Sequence, residues 1–144
     1  MKVAFTSHDL PASNAVCVGV TADRTLSESA RKLDELTGGA LSRAIKASGR
    51  FKGDKRQLLE VLAPAGVENS RVLLVGLGKP DALDAGELEA IGGELVAKLN
   101  AAGESQATFV LDQLAGAPVS GPQAAARLGL GARLRSYRFD KYRT

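Results

Sequence analysis

The chain has 144 residues, 44% hydrophobic and 24% charged, with 16 glycines, one cysteine and one histidine. That length suits one domain with a core of its own, and the near-average composition excludes coiled-coil, collagen-like and disordered classes. A lone Cys17 excludes an internal disulfide and a cysteine zinc site, and the net charge of +3 is only mildly basic.

In chain order, the N-terminus turns polar by Thr6-Ser7-His8-Asp9, too early for a signal peptide, and no run approaches the roughly 18 apolar residues of a spanning helix. The expectation is a cytoplasmic chain without membrane association. Apolar runs at Val3–Phe5, Ala15–Val20, Leu58–Ala63, Arg71–Leu77 and Ala107–Leu111 read as strands. Val72-Leu73-Leu74-Val75 is apolar at consecutive positions, the pattern of a strand covered on both faces. Thr25-Leu26-Ser27-Glu28 has the spacing of a capping box with Thr25 as the cap, opening a helix that Gly38-Gly39 interrupts. Leu41, Ala44 and Ile45 carry a second helical segment to Gly49, and Arg50–Arg56 reads as a solvated turn. A further helix starts at Asp84, carries Leu88, Ile91, Leu95 and Leu99 on one face and stops at Gly103. Leu114–Pro122 is a loop, and a last helix runs from about Gln123. The order β-β-α-α-β-β-α-β-α describes an α/β domain with a mixed β-sheet flanked by helices. Its two β-β steps argue against an all-parallel sheet.

The last helix carries two apolar stripes. Ala126, Leu130, Leu134 and Tyr137 fall on one side, and Leu128, Phe139 and Tyr142 nearly opposite. A helix that merely closes a domain needs one stripe. Leu128, Leu130, Leu134, Tyr137, Phe139 and Tyr142 are therefore expected to pack between this domain and another polypeptide surface. The excess positive charge also lies here: residues 127–144 carry +5, and the remaining 126 residues carry −2.

The segment from Arg127 to Thr144, Arg-Leu-Gly-Leu-Gly-Ala-Arg-Leu-Arg-Ser-Tyr-Arg-Phe-Asp-Lys-Tyr-Arg-Thr, closely resembles the interdomain helix of bacterial leucyl aminopeptidases, the cytosol aminopeptidase family. Val72–Lys79, the helix bearing Gly92-Gly93, and Phe51-Lys52-Gly53 before the third strand resemble the amino-terminal domain of that family. The resemblance implies a macro-domain-like three-layer α/β/α fold over residues 1–122 and a connector helix over 123–144. It implies a non-catalytic N-terminal domain that supports assembly and regulation. Its partner would be a C-terminal catalytic domain on the same polypeptide, which in the family binds two divalent metal ions (Mn or Zn), removes N-terminal amino acids from peptides and assembles as a hexamer. The family signature Asn-Thr-Asp-Ala-Glu-Gly-Arg is absent from this sequence, so no catalytic or metal-binding residue carries over and the chain alone is expected to be inactive.

Three local features invite chemistry. Ser7-His8-Asp9 contains the residue types of a hydrolytic triad, but neighbours on one extended segment cannot converge as nucleophile, base and orienting acid. Gly76-Leu77-Gly78-Lys79 lies between a strand and a helix, where a phosphate-binding turn would lie. Gly76, Gly78 and Lys79 are the candidate anion site, and with the macro-like fold they raise an alternative: a module binding a phosphate ligand or ADP-ribose. Cys17, inside an apolar strand, reads as a small core residue. DNA contact by the basic tail is the third reading, weakened because Arg133, Arg135, Arg138 and Arg143 diverge around a helix.

Overall fold

The five apolar runs become five strands of one sheet in the computed structural model, which describes residues 2–6, 10–11, 14–112, 117–118 and 121–141. The strands are β1 (Lys2–Thr6), β2 (Ala15–Thr21), β3 (Thr25–Leu26), β4 (Leu58–Leu62), β5 (Arg71–Gly78) and β6 (Gln106–Val110); the helices are α1 (Glu28–Leu36), α2 (Ala40–Ser48), α3 (Ala85–Ala101) and α4 (Gly121–Lys141). The order across the sheet is β1-β6-β2-β5-β4. The first four run parallel, and β4 is antiparallel to β5. The sheet is mixed as expected, but the first β-β step is no hairpin. β6 inserts between β1 and β2, which point the same way.

Alternation along the central strands sorts the core into two layers, as period-two geometry requires. Val16, Val18, Val20, Val72 and Leu74 face α1 and α2, meeting Ala30, Leu33, Leu41 and Ile45. Ala15, Cys17, Leu73, Val75 and Leu77 face α3 and α4, meeting Leu88, Ile91, Leu95, Leu99 and Leu128. Each strand is thus buried on both sides, which is why Val72–Val75 is apolar without a break.

The helix boundaries correct one expectation. Thr25 does not cap α1. Thr25 and Leu26 pair with Thr21 and Val20 as β3, and Ser27 is the cap, accepting from the Ala30 amide at 3.3 Å. The Gly38-Gly39 break closes α1 with amides bonded back to the Glu35 and Asp34 carbonyls, the two-bond glycine stop of helix ends. Asp34 then accepts from the Ser42 amide at 2.9 Å, so α1 supplies the cap of α2. Asp84 caps α3 through the Glu87 amide at 2.9 Å.

α4 starts at Gly121, with Pro122 in its first turn. Its first half belongs to the domain rather than following it: Ala124, Leu128 and Ala132 are buried, so a division at 122/123 falls inside a helix built into the core. Contact with α3 is backbone to backbone. A Cβ on Gly92 would collide with the Leu128 carbonyl, and one on Gly131 with the Glu89 carbonyl.

Candidate functional site

In open α/β sheets, ligands bind beyond the carboxyl ends of strands whose connections leave to opposite faces. Here β2 leads to α1, while its neighbours β5 and β6 lead to α3 and α4 on the other face. The candidate crevice therefore lies past Thr21, Gly78 and Val110.

The chain fills that crevice itself. Asp112, two residues beyond β6, reaches the first turn of α1, accepting from the Ser29 amide at 2.9 Å and the Ser29 hydroxyl at 2.7 Å. Both residues are buried. A carboxylate on exposed first-turn amides is the arrangement an anionic ligand would adopt. Here the anion is internal.

The second half of the crevice is covered by the turn leading into β4. The Gly76 amide donates to Gln57 O at 2.7 Å, the Gly78 amide donates to Gly53 O at 2.8 Å, and the Arg56 amide donates to Gly76 O at 3.0 Å. Gln57 pins the turn, its side-chain oxygen accepting from the Lys52 and Asp54 amides at 2.9 and 3.1 Å. Phe51 anchors it at 3% exposure, so this segment is not the wholly solvated turn its charges suggest. A Cβ on Gly76 would strike the Asp54 carbonyl, and Gly78 has φ +70°. These glycines accommodate the close approach of the 53–57 turn, to which the amides of Gly76 and Gly78 are bonded. Lys79 is exposed on the rim.

The other candidates divide. Ser7, His8 and Asp9 lie outside the described residues. Cys17 is fully buried; burial first, and the charge of Glu104 second, push its thiol up, so it is no thiolate nucleophile. Among the described residues, no three His, Cys, Asp or Glu converge on a point where a metal could bind, and no helix is long and apolar enough to cross a membrane.

The two stripes of α4 separate in space. Leu128 is fully buried within this domain's own core, whereas Leu130 and Leu134 on the opposite side are 36% and 48% exposed. A shallow groove of about 310 Å³ runs along the α3–α4 seam between Ala90, Gly93, Gly131 and Leu134. Tyr137 and Phe139 continue the helix with side chains outside the described set, and Tyr142 lies beyond the described residues. Arg127 pairs with Glu89 at 2.9 Å, while Arg133 and Arg135 are exposed.

Asp112 and Ser29 were not singled out by the sequence reading. The available signals were an acid directly after an apolar run and a serine in a helix first turn, separated by 83 positions.

The sequence profile of the cytosol aminopeptidase family's N-terminal domain matches residues 17–144. A "Probable cytosol aminopeptidase" of Caulobacter vibrioides is 39% identical over 146 residues, covering 100% of this chain and 28% of that protein. Another protein of that name, from Xanthobacter autotrophicus, is 38% identical over 127 residues, covering 87% of this chain and 25% of that one. The chain thus spans about a quarter of the length of these curated relatives. Among solved structures, the macrodomain of Mycobacterium tuberculosis DarG superposes with a TM-score of 0.67 at 11% identity, covering 92% of this chain and 90% of that one. That likeness shows the three-layer macro-domain-like fold.

Proposed function

Because the chain belongs to the cytosol aminopeptidase family as its N-terminal domain, we propose that it is the non-catalytic part of an aminopeptidase whose peptidase domain follows on the same polypeptide. Its work in this reading is to seat and assemble that domain and to regulate access to it. The observation that carries the reading is the division of α4, whose inner edge is locked into the core by Leu128 while Leu130 and Leu134 remain bare. Relatives several times longer supply the polypeptide that would cover that edge.

The whole enzyme would be a cytoplasmic hexamer that removes N-terminal residues from peptides with two divalent ions, manganese or zinc. Those ions would be held by the peptidase domain. In an assay with a leucyl chromogenic amide and manganese, the 144-residue chain should give no turnover, and the reading frame carried to the relatives' length should give it. Turnover by the short chain would defeat the proposal.

The macro-domain fold favours a second reading, a module for ADP-ribose or another phosphate. Against it stand the Asp112 carboxylate on α1 and the committed amides of Gly76 and Gly78. Calorimetry with ADP-ribose at millimolar concentration is expected to register no heat. DNA contact through the tail ranks third, since Arg127 is held by Glu89; an electrophoretic shift across a salt series is expected to show no retardation at physiological ionic strength.

A further inference from the structure

The net charge of the domain body conceals a polarised surface. Residues 22–56 carry nine basic and five acidic side chains, whereas residues 57–126 carry three basic and nine acidic. On the basic side, the turn into β3 and the edge of α2 border an open pocket of about 480 Å³ lined by Arg24, Leu26, Ser42, Ile45 and Lys46. We propose that this pocket binds a small organic acid: an anionic head held between Arg24 and Lys46, and an apolar body resting on Leu26 and Ile45.

Four observations support the assignment. First, the neighbouring basic side chain is already occupied, while the pocket's own are not. The Arg43 guanidinium donates to the Gly38 carbonyl at 2.6 Å; among the described residues, Arg24 and Lys46 enter no ion pair. Second, the backbone holds Arg24 in an uncommon shape: Asp23 and Arg24 have φ of +65° and +59°, a conformation that costs free energy in non-glycine residues. The Arg24 amide is fixed on the Lys52 carbonyl at 3.1 Å. Third, two of the lining side chains are apolar. Ile45 is 5% exposed, and Leu26 is half-buried. Fourth, the volume falls in the ordinary range for small-molecule sites.

The lining also states what the ligand lacks. No carboxylate lines the pocket. Asp34, nearby, gives both oxygens to Ser42, to its amide and its hydroxyl. With no carboxylate in the lining and two cationic side chains beside it, an ammonium group is repelled more than it is held, so a free amino acid is a poorer occupant than a 2-oxo acid or another uncharged-bodied carboxylate. Ser42, its proton committed to Asp34, contributes no donor, leaving the two basic side chains to hold the head.

The inference stands apart from the peptidase reading and is tested on the 144-residue chain by calorimetry and by amide shifts in NMR. The probes are 4-methyl-2-oxopentanoate, leucine (the same skeleton with an ammonium group) and inorganic phosphate. The oxo acid is expected to saturate with Kd near ~1 mM, shifting the amides of residues 24–26 and 42–46. Leucine and phosphate should bind at least about tenfold more weakly, since leucine adds an unpaired ammonium and phosphate lacks the apolar body. Arg24→Gln with Lys46→Gln, both at exposed positions, should weaken the oxo acid about tenfold or more while leaving the thermal midpoint within a few degrees. Absence of saturation at 20-fold above ~1 mM would overturn the proposal. So would equal affinity for leucine or phosphate, or undiminished binding in the double variant.

Discussion

On one face of the sheet α1 and α2 are nine residues each; on the other, α3 and α4 run 17 and 21. The short pair is fastened by side chains: Ser27 on its first turn, Asp34 bridging into Ser42, Asp112 seated on Ser29. The long pair is fastened by missing side chains, Gly92 and Gly131 letting two backbones meet. The difference lies in what each layer leaves outside. The capped pair leaves a basic rim and, at the end of α1, one apolar side chain, Leu36, 57% exposed. A pair packed through glycines presses one edge of α4 fully inward and thereby presents the opposite edge, with Leu130 and Leu134, to whatever lies beyond.

The comparison breaks most visibly at the glycine seam. Gly131→Val puts two methyl groups where the Glu89 carbonyl already excludes a Cβ, and backbone can yield only by moving the whole helix. A loss of about 3 kcal/mol or more is expected in urea unfolding, with Leu128→Ala costing about 2–5 kcal/mol on the same face. Cys17 reports the event locally, because its thiol lies in the α3–α4 layer. Its pKa is raised from 9.0 by burial, so the native thiol stays protonated and a thiol reagent reacts only through opening. The sign follows: the native state holds this proton more tightly than the unfolded chain, so stability is full below pH 9 and falls as pH climbs past it. In Gly131→Val, labelling at pH 8 should accelerate by at least about tenfold. An unchanged labelling rate would mean that α4 is not fastened through the seam.

The capped face should respond less, and chemically. Asp112→Ala removes two buried charge-assisted hydrogen bonds to Ser29, a cost of about 2–3 kcal/mol. If the carboxylate acts as an internal anion on the first turn of α1, 50 mM formate should restore part of the loss in the variant, by about 0.5 kcal/mol, and do nothing comparable for the parent. Equal response of the two proteins to formate would show that Asp112 is an ordinary polar contact. Ser27→Ala, the removal of a single cap, should cost about 1 kcal/mol.

These contrasts also mark where the amino-acid order was readable. β2 and β5 were legible because burial on both faces demands unbroken apolar runs, and the α1–α2 break because Gly38-Gly39 is a local stop. The insertion of β6 between β1 and β2 was not, since pairing across about 90 to 105 positions leaves no local mark. Thr25 and Ser27 both have cap chemistry ahead of Glu28, and a two-residue strand carries too little periodicity to decide between them. At the candidate crevice, the glycines of β5 announced close approach but not by what. A phosphate and the 53–57 turn both ask for Gly76 and Gly78, and only the fold brings Gly53 and Gln57 there. The double stripe of α4 was readable because 3.6-residue spacing separates Leu128 from Leu130 and Leu134 whatever they meet.

The smallest effect is the most discriminating for that stripe. Leu134→Ser, at a side chain 48% exposed, removes the half that is already covered in the 144-residue chain, and its unfolding free energy should fall by about 1 kcal/mol. The same substitution in a polypeptide of the relatives' length meets a different surrounding. If the outer edge of α4 is covered there, Leu134→Ser exposes a fully buried site and should cost about 2 kcal/mol more than in the short chain, read as a lower thermal midpoint or a looser assembly by light scattering. Two lengths of one chain thus serve as each other's control, because an intrinsic helix-propensity effect would appear equally in both. A markedly larger loss in the longer polypeptide is the signature of a covered edge. A loss of equal size in both would place Leu134 in this domain's own packing and leave the outer stripe without a partner to explain.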